Sequence, residues 1–191
     1  MPILLASSSA RRISLLKAAS LEFETMVCPD EEVVDERLSP GGKVMALAAG
    51  KARCCAARWD RQGVVIGADT AVFLGTDMLG KPEGPQDAQR MLRRLSGRWH
   101  TVRTGVCMIF PGGEEELFCC VSRVLFRRLS QEEIQAYVQS GEPMDKAGAY
   151  AIQGGASQFV RRYAGDYDNI VGLPVSRVIK ALESFGAIDL I

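Results

Sequence analysis

Apolar positions along the chain fall into short continuous runs and helical stripes separated by polar turns. Ile3-Leu4-Leu5-Ala6 is a strand-length run that breaks into Ser7-Ser8-Ser9-Ala10, and Arg11-Arg12 then precede Ile13-Ser14-Leu15-Leu16. That order predicts strand, polar turn and helix N-terminus. Phe23 to Cys28 alternates as a strand does, and Pro29-Asp30-Glu31-Glu32 opens an acidic loop. Ser39-Pro40 starts a helix with proline at its first position, expected to run to about Trp59. Val64 to Leu74 is an apolar strand run closed by the turn Gly75-Thr76-Asp77, and Asp87 to Leu95 is a helix ended near Gly97. Thr101 to Phe110 and Leu117 to Phe126 are two strands joined across Pro111-Gly112-Gly113. Ser130-Gln131-Glu132-Glu133 is a capping box for a helix that ends before Gly141. Glycine-rich loops and short strands fill Gly141 to Gly172, and Leu173-Pro174 leads into a last helix to Phe185. Strands interleaved with helices in this way predict an α/β or α+β fold on a mixed sheet.

Composition narrows the function classes. The chain has 191 residues, enough for a sizeable core, and its 47% hydrophobic and 24% charged content is ordinary for a soluble globular protein. Its 23 basic residues balance 23 acidic ones, so no global field recruits nucleic acid or an anionic membrane, and phosphate binding must be local. No apolar stretch approaches a membrane span or has the layout of a secretion signal, so a cytoplasmic protein is expected. The six cysteines, Cys28, Cys54, Cys55, Cys107, Cys119 and Cys120, show no C-x-x-C spacing, and neither a disulfide framework nor a zinc site is expected. His100 is the only histidine.

Candidate chemistry sits where charges interrupt apolar patterns. A helix start with hydroxyls before it and two guanidiniums in its first turn is an anion site, and cations there oppose the helix dipole unless an anion is bound. A serine cap with two solvated arginines is the plainer alternative. Lys51 falls within the helical stripe Val44, Leu47, Ala48, Ala52, Cys55, and Asp69 interrupts the strand run Val64 to Phe73. Each needs a partner, a metal or a bound anion if it is buried, unless Lys51 snorkels and Asp69 caps a turn. Lys81-Pro82, Ser96-Gly97-Arg98, Glu142 to Tyr150 and Gln153-Gly154-Gly155 place further charge in glycine- and proline-framed loops. Glu32, Asp69 and Asp145 can hold a hard cation by oxygen, and Arg11, Arg12, Lys51 and Lys81 can neutralise a polyphosphate. That is equipment for metal-assisted cleavage of a phosphate ester or phosphoanhydride.

The chain resembles the Maf family of nucleoside triphosphate pyrophosphatases at Ala6 to Arg12, Gly67-Ala68-Asp69-Thr70, Lys81-Pro82, Leu95 to Arg98 with His100, Asp145 to Tyr150 with Ile152-Gln153-Gly154, and Gly165-Asp166-Tyr167 through Gly172-Leu173-Pro174. These motifs span nearly the whole chain in the family's order. The resemblance implies a twisted mixed sheet with flanking helices, two lobes around a central cleft as in the inosine-triphosphatase-like fold, and a single catalytic domain over residues 1–191. It implies hydrolysis of a nucleoside triphosphate to monophosphate and pyrophosphate with a divalent cation, Mg, Mn or Co. The loop from Asp145 to Gly154 is similar to the branch acting on dTTP, UTP and modified pyrimidine nucleotides rather than the branch acting on 7-methyl-GTP. Ala10 departs from the family, which usually has proline there, and removes a preset helix entry.

By position, the resemblance makes Asp69 the catalytic carboxylate. Ser7, Arg11, Arg12, Glu32, Lys51 and Lys81 match polar site residues, with Glu32 and Asp69 the metal-ligand candidates, and Arg11, Thr70 and Gln153 match positions linked to base choice. Whether Asp69 acts as general base or metal ligand is open at this level, as is a homodimer. The rival reading is a non-catalytic, nucleotide-sensing regulator of cell division. A nucleic-acid binder is disfavoured, because no basic stripe with interleaved aromatics occurs.

Overall fold

The computed structural model describes residues 1–29 and 34–188. The elements are β1 (Ile3–Leu5), α1 (Ala10–Ala18), β2 (Glu24–Thr25), α2 (Pro40–Ala56), β3 (Val64–Leu74), β4 (Asp77–Leu79), α3 (Pro85–Leu95), β5 (Trp99–Ile109), β6 (Glu115–Phe126), α4 (Gln131–Gln139), β7 (Val160–Ala164), α5 (Tyr167–Val171) and α6 (Val175–Ser184). Strand order is β2-β1-β3-β5-β6-β7, with β4 also paired to β3. β1 is parallel to β2 and β3, whereas β3–β4 and β6–β7 are antiparallel, so the sheet is mixed as expected. The chain divides into two compact units, Met1–Asp69 with Thr104–Cys120 and Gly172–Ile191, and Thr70–Arg103 with Val121–Val171.

In the first unit, alternation along β1 and β3 sends side chains to two cores. Ile3, Leu5, Val64, Ile66 and Ala68 join Leu16 of α1 and Val178, Ala181 and Leu182 of α6. Leu4, Ala6 and Val65 join Ala48, Ala49, Ala52 and Cys55 of α2. A strand covered on both faces reads as a continuous apolar run, which is why Val64 to Leu74 is legible from sequence at its full length. Strand β2 is shorter than the expected Phe23 to Cys28, because its partner β1 offers only three residues to pair with. The expectation that the cysteines form no disulfide is corrected, since Cys28 and Cys54 are joined.

In the second unit, α3 and α4 pack together, and the capping box is formed: Ser130 Oγ accepts from Glu133 N at 3.2 Å and Glu133 Oε2 from Ser130 N at 2.9 Å. The turn after β3 returns as β4, with Leu74 opposite Asp77, an element that the sequence pattern shows only as a turn. His100 lies in an aromatic cluster, edge-on to Phe126 and Tyr150, with its Nε2 sharing a 2.8 Å hydrogen bond with the Tyr150 hydroxyl. Burial pushes His100 down to about 4 from an ordinary 6.5.

The depressed His100 value makes stability depend on pH. The unfolded chain takes up the proton first, so the contribution is complete above about pH 6.5 and is lost as pH falls towards 4. At about 1.4 kcal/mol per unit, the loss is on the order of 3 kcal/mol. Urea unfolding followed from pH 7 to 4 should show it, and His100→Gln should flatten that window. An unchanged slope in the variant would assign the loss to carboxylates instead. Glu133, held down to about 2 by Arg127, loses its contribution at lower pH.

Candidate active site

In the first unit the site begins where the parallel pairing of β1 with β3 stops. Leu5 lies opposite Ile66, so Ser7 and Asp69 follow two and three residues after the last paired position, Ser7 just past the end of β1 and Asp69 midway along β3, which runs on to Leu74. Val65, Gly67 and Asp69 share one face of β3, the face that α2 covers. A Cβ on Gly67 would stand 2.3 Å from the Ala48 carbonyl oxygen and 2.7 Å from Ala52 N. A Cβ on Gly105 would stand 2.3 Å from the Val44 carbonyl oxygen. Bare backbone at these two positions lets α2 lie directly on the strands.

Lys51, between Ala48 and Ala52 on that helix, reaches Asp69: Nζ donates to Oδ1 at 2.6 Å. The Lys51 and Asp69 side chains are 20% and 14% exposed, so the charges that interrupt two apolar patterns meet each other with a margin still open to solvent. Lys43, absent from the candidates drawn from sequence, is a more deeply buried amine on the same helix and pairs with Glu36. Its position beside Val44 in the apolar stripe is the signal that could have found it.

The turn into α1 binds its own side chains. Ser7 Oγ accepts from Ser9 N and from Arg12 Nη1, both at 3.2 Å, and Arg12 Nε donates to the Gly172 carbonyl at 2.9 Å. Ser9 occupies the N-cap without a side-chain cap bond, and the first turn holds no acidic residue. Arg12 is thereby oriented by the turn and by the segment before α6, while Arg11 is half-exposed on the same first turn.

Thr70, Lys81 and Gln153 belong to the second unit. Thr70 is half-buried, and Lys81 and Gln153 are exposed. Gly148 N donates to Gly80 O at 2.9 Å, which ties the segment before Lys81 to the Asp145 to Tyr150 loop. Gly148 has φ +68° with the Val72 side chain against the place of a Cβ, so glycine is required there twice over. Gln153 stands on a turn anchored by Glu142, whose Oε1 accepts from the Tyr137 hydroxyl at 2.9 Å and Oε2 from Gly155 N at 3.0 Å. This anchoring by Glu142 is not visible in the sequence, because its partners are five and thirteen residues away. Asp145 is exposed and takes the Lys146 ammonium.

Glu32 lies outside the described residues. Among the described residues no group of three or more His, Cys, Asp or Glu could hold a metal ion. Asp69 stands as a hard oxygen donor beside an ammonium. That set does not suit an all-protein cage. It suits a magnesium-type cation, which takes one or two carboxylates and fills the rest of its shell with water and substrate phosphates. No helix among the described residues is long and apolar enough to cross a membrane.

The family model for Maf-like proteins matches residues 2–185. A Geobacillus protein named dTTP/UTP pyrophosphatase is 46% identical over 184 residues, covering 96% of this chain and 98% of that protein. One of the same name from Desulforamulus reducens is 46% identical over 186 residues, covering 97% of each. Among solved structures, a HAM1 protein from Coxiella burnetii aligns with 95% of this chain and 99% of its own at TM-score 0.52 and 16% identity, a likeness of fold.

Proposed function

The chain belongs to the Maf family, and from that premise we propose that it hydrolyses dTTP and UTP, including modified pyrimidine nucleotides, to the monophosphate and pyrophosphate, with residues 1–191 acting as one catalytic domain. The observation that carries the chemistry is the Lys51–Asp69 pair, a largely buried ion pair just past the point where β1 stops pairing with β3, set against the apolar packing of α2 on these strands. Relatives 46% identical over nearly their whole length carry the dTTP/UTP pyrophosphatase name, which favours pyrimidine substrates.

In this reading Asp69 accepts the proton of the attacking water, and Lys51, bonded to Oδ1, fixes the orientation of the carboxylate. Attack at the α-phosphorus breaks the bond to the β-phosphate, and the electron pair leaves with pyrophosphate. Arg12, Lys51 and Lys81 stabilise the charge that develops there, while Ser7 and Arg11 hold phosphate oxygens. A divalent cation, Mg, Mn or Co, would be held by Asp69 and Glu32 and supplies neutralisation of the triphosphate. Thr70 and Gln153 select the base.

The test is a panel of nucleoside triphosphates with each cation, followed by pyrophosphate release. dTTP and UTP should be cleaved well, CTP less, and ATP and GTP poorly. The Gln153 amide offers a donor and an acceptor to the adjacent N3–H and carbonyl of uracil or thymine. Gln153→Ala should lower the pyrimidine rates towards the purine rates, by about tenfold for a lost bond pair of 1–3 kcal/mol. 7-Methyl-GTP as the best substrate would overturn the base assignment. Nucleotide binding without pyrophosphate release would favour the sensing regulator.

A further inference from the structure

Cys28, four residues beyond the short strand β2's start, and Cys54, in the last turn of α2, are joined across a sequence separation of 26 residues with a Cα–Cα distance of 5.9 Å. That separation of backbones lies in the range a disulfide needs, so the fold itself sets the two sulfurs side by side. Both cysteines are half-buried, open enough to meet a small reagent. Arg58, one turn beyond Cys54, places Nη1 at 2.7 Å from Cys54 Sγ and 3.0 Å from the Cys54 carbonyl. A guanidinium at a sulfur favours the thiolate, the species that performs exchange.

The other cysteines lack this combination. Cys55 and Cys107 are fully buried, and burial pushes both thiols up, Cys107 to about 11. Cys119 and Cys120 are consecutive on β6 and point to opposite faces of the sheet, which keeps them from bonding to each other.

We propose that Cys28 and Cys54 are a thiol–disulfide exchange site for a low-molecular-weight disulfide of the glutathione class, and that the bond clamps the end of α2 to the segment after β2. The Cys54 thiolate attacks one sulfur of the reagent, forming a mixed disulfide and releasing one thiolate. The Cys28 thiolate then attacks Cys54 Sγ, closing the Cys28–Cys54 bond and releasing the second. The two protein thiols lose two electrons and two protons, and the reagent becomes two thiols. A dithiol reverses the sequence. The same helix carries Lys51 one turn before Cys54, so the clamp closes on the element that positions the site amine.

The full-length protein, reduced with dithiothreitol and dialysed, is exposed to glutathione disulfide in the native state. Free thiols are then alkylated and the cross-linked peptides mapped. Two of the six thiols should disappear, with a Cys28–Cys54 peptide recovered, and dithiothreitol should restore both. The oxidised form should melt about 5 °C or more above the reduced form, as expected for a loop of this length, with slower amide exchange in α2. Cys28→Ser should stop at a mixed disulfide on Cys54 and lose the melting shift. Retention of all six thiols under excess oxidant, linkage of a different pair, or a Cys28–Cys54 bond that leaves melting and exchange unchanged would each overturn the proposal.

Discussion

Asp69→Asn is expected to lower turnover of dTTP by about a hundredfold or more, the span that a positioned general base contributes. The amide keeps the shape of the carboxylate and can still accept from Lys51 Nζ, which stands 2.6 Å from Oδ1. It can neither take a proton from water nor match a carboxylate at a cation. Nucleotide binding should be largely retained, because in the proposed arrangement the phosphates are held by Ser7, Arg11, Arg12, Lys51 and Lys81. Pyrophosphate release gives the rate, and calorimetry with dTTP gives the affinity. A rate close to that of the unaltered protein would remove Asp69 from the chemistry, and parallel loss of both quantities would make it a binding residue.

Gly67→Ala should be strongly damaging for so small a substitution. Its new methyl would stand 2.3 Å from the Ala48 carbonyl oxygen and 2.8 Å from the Ala52 Cβ, so α2 must lift from β3. Overpacking of this kind costs about 1–3 kcal/mol. Lifting α2 also draws Lys51 away from Asp69, so turnover should fall even at temperatures where the variant stays folded. Gly50→Ala is the matched control. It lies on the exposed side of the same helix with nothing within 4 Å of the added methyl, and removing a mid-helix glycine there should stabilise by up to about 1 kcal/mol. Urea unfolding of both variants, with dTTP turnover measured below their transitions, separates the two effects. Equal stability in both would show that α2 has slack over Gly67.

Elements with local causes are legible in the order of residues. The run Val64 to Leu74 appears as β3 with those bounds, and Ser130 with Glu133 forms the capping box. Ser39 accepts from Gly42 N at the head of α2, where Ser39-Pro40 marks a helix start. The extents of β2 and β4 are not legible in this way, because strand length depends on the partner as much as on the segment's own pattern. The cysteine expectation fails for a similar reason: spacing along the chain says nothing of two thiols brought together from a loop and a helix.

Lys51 and Asp69 stand out as anomalous from the order of residues alone, since a charge inside an apolar period costs too much to be accidental. The family motifs and the mixed α/β class are carried in the same way. That these two charges are each other's partner is a matter of packing, because it requires the close approach of α2 permitted at Gly67 and Gly105. Packing likewise aims Arg12 by way of Ser7 and the Gly172 carbonyl, and lets Glu142 hold the Gln153 turn. Period and propensity act over neighbouring residues, whereas these contacts join residues from five to 160 positions apart, and it takes the packed chain to bring such groups within a hydrogen bond's reach.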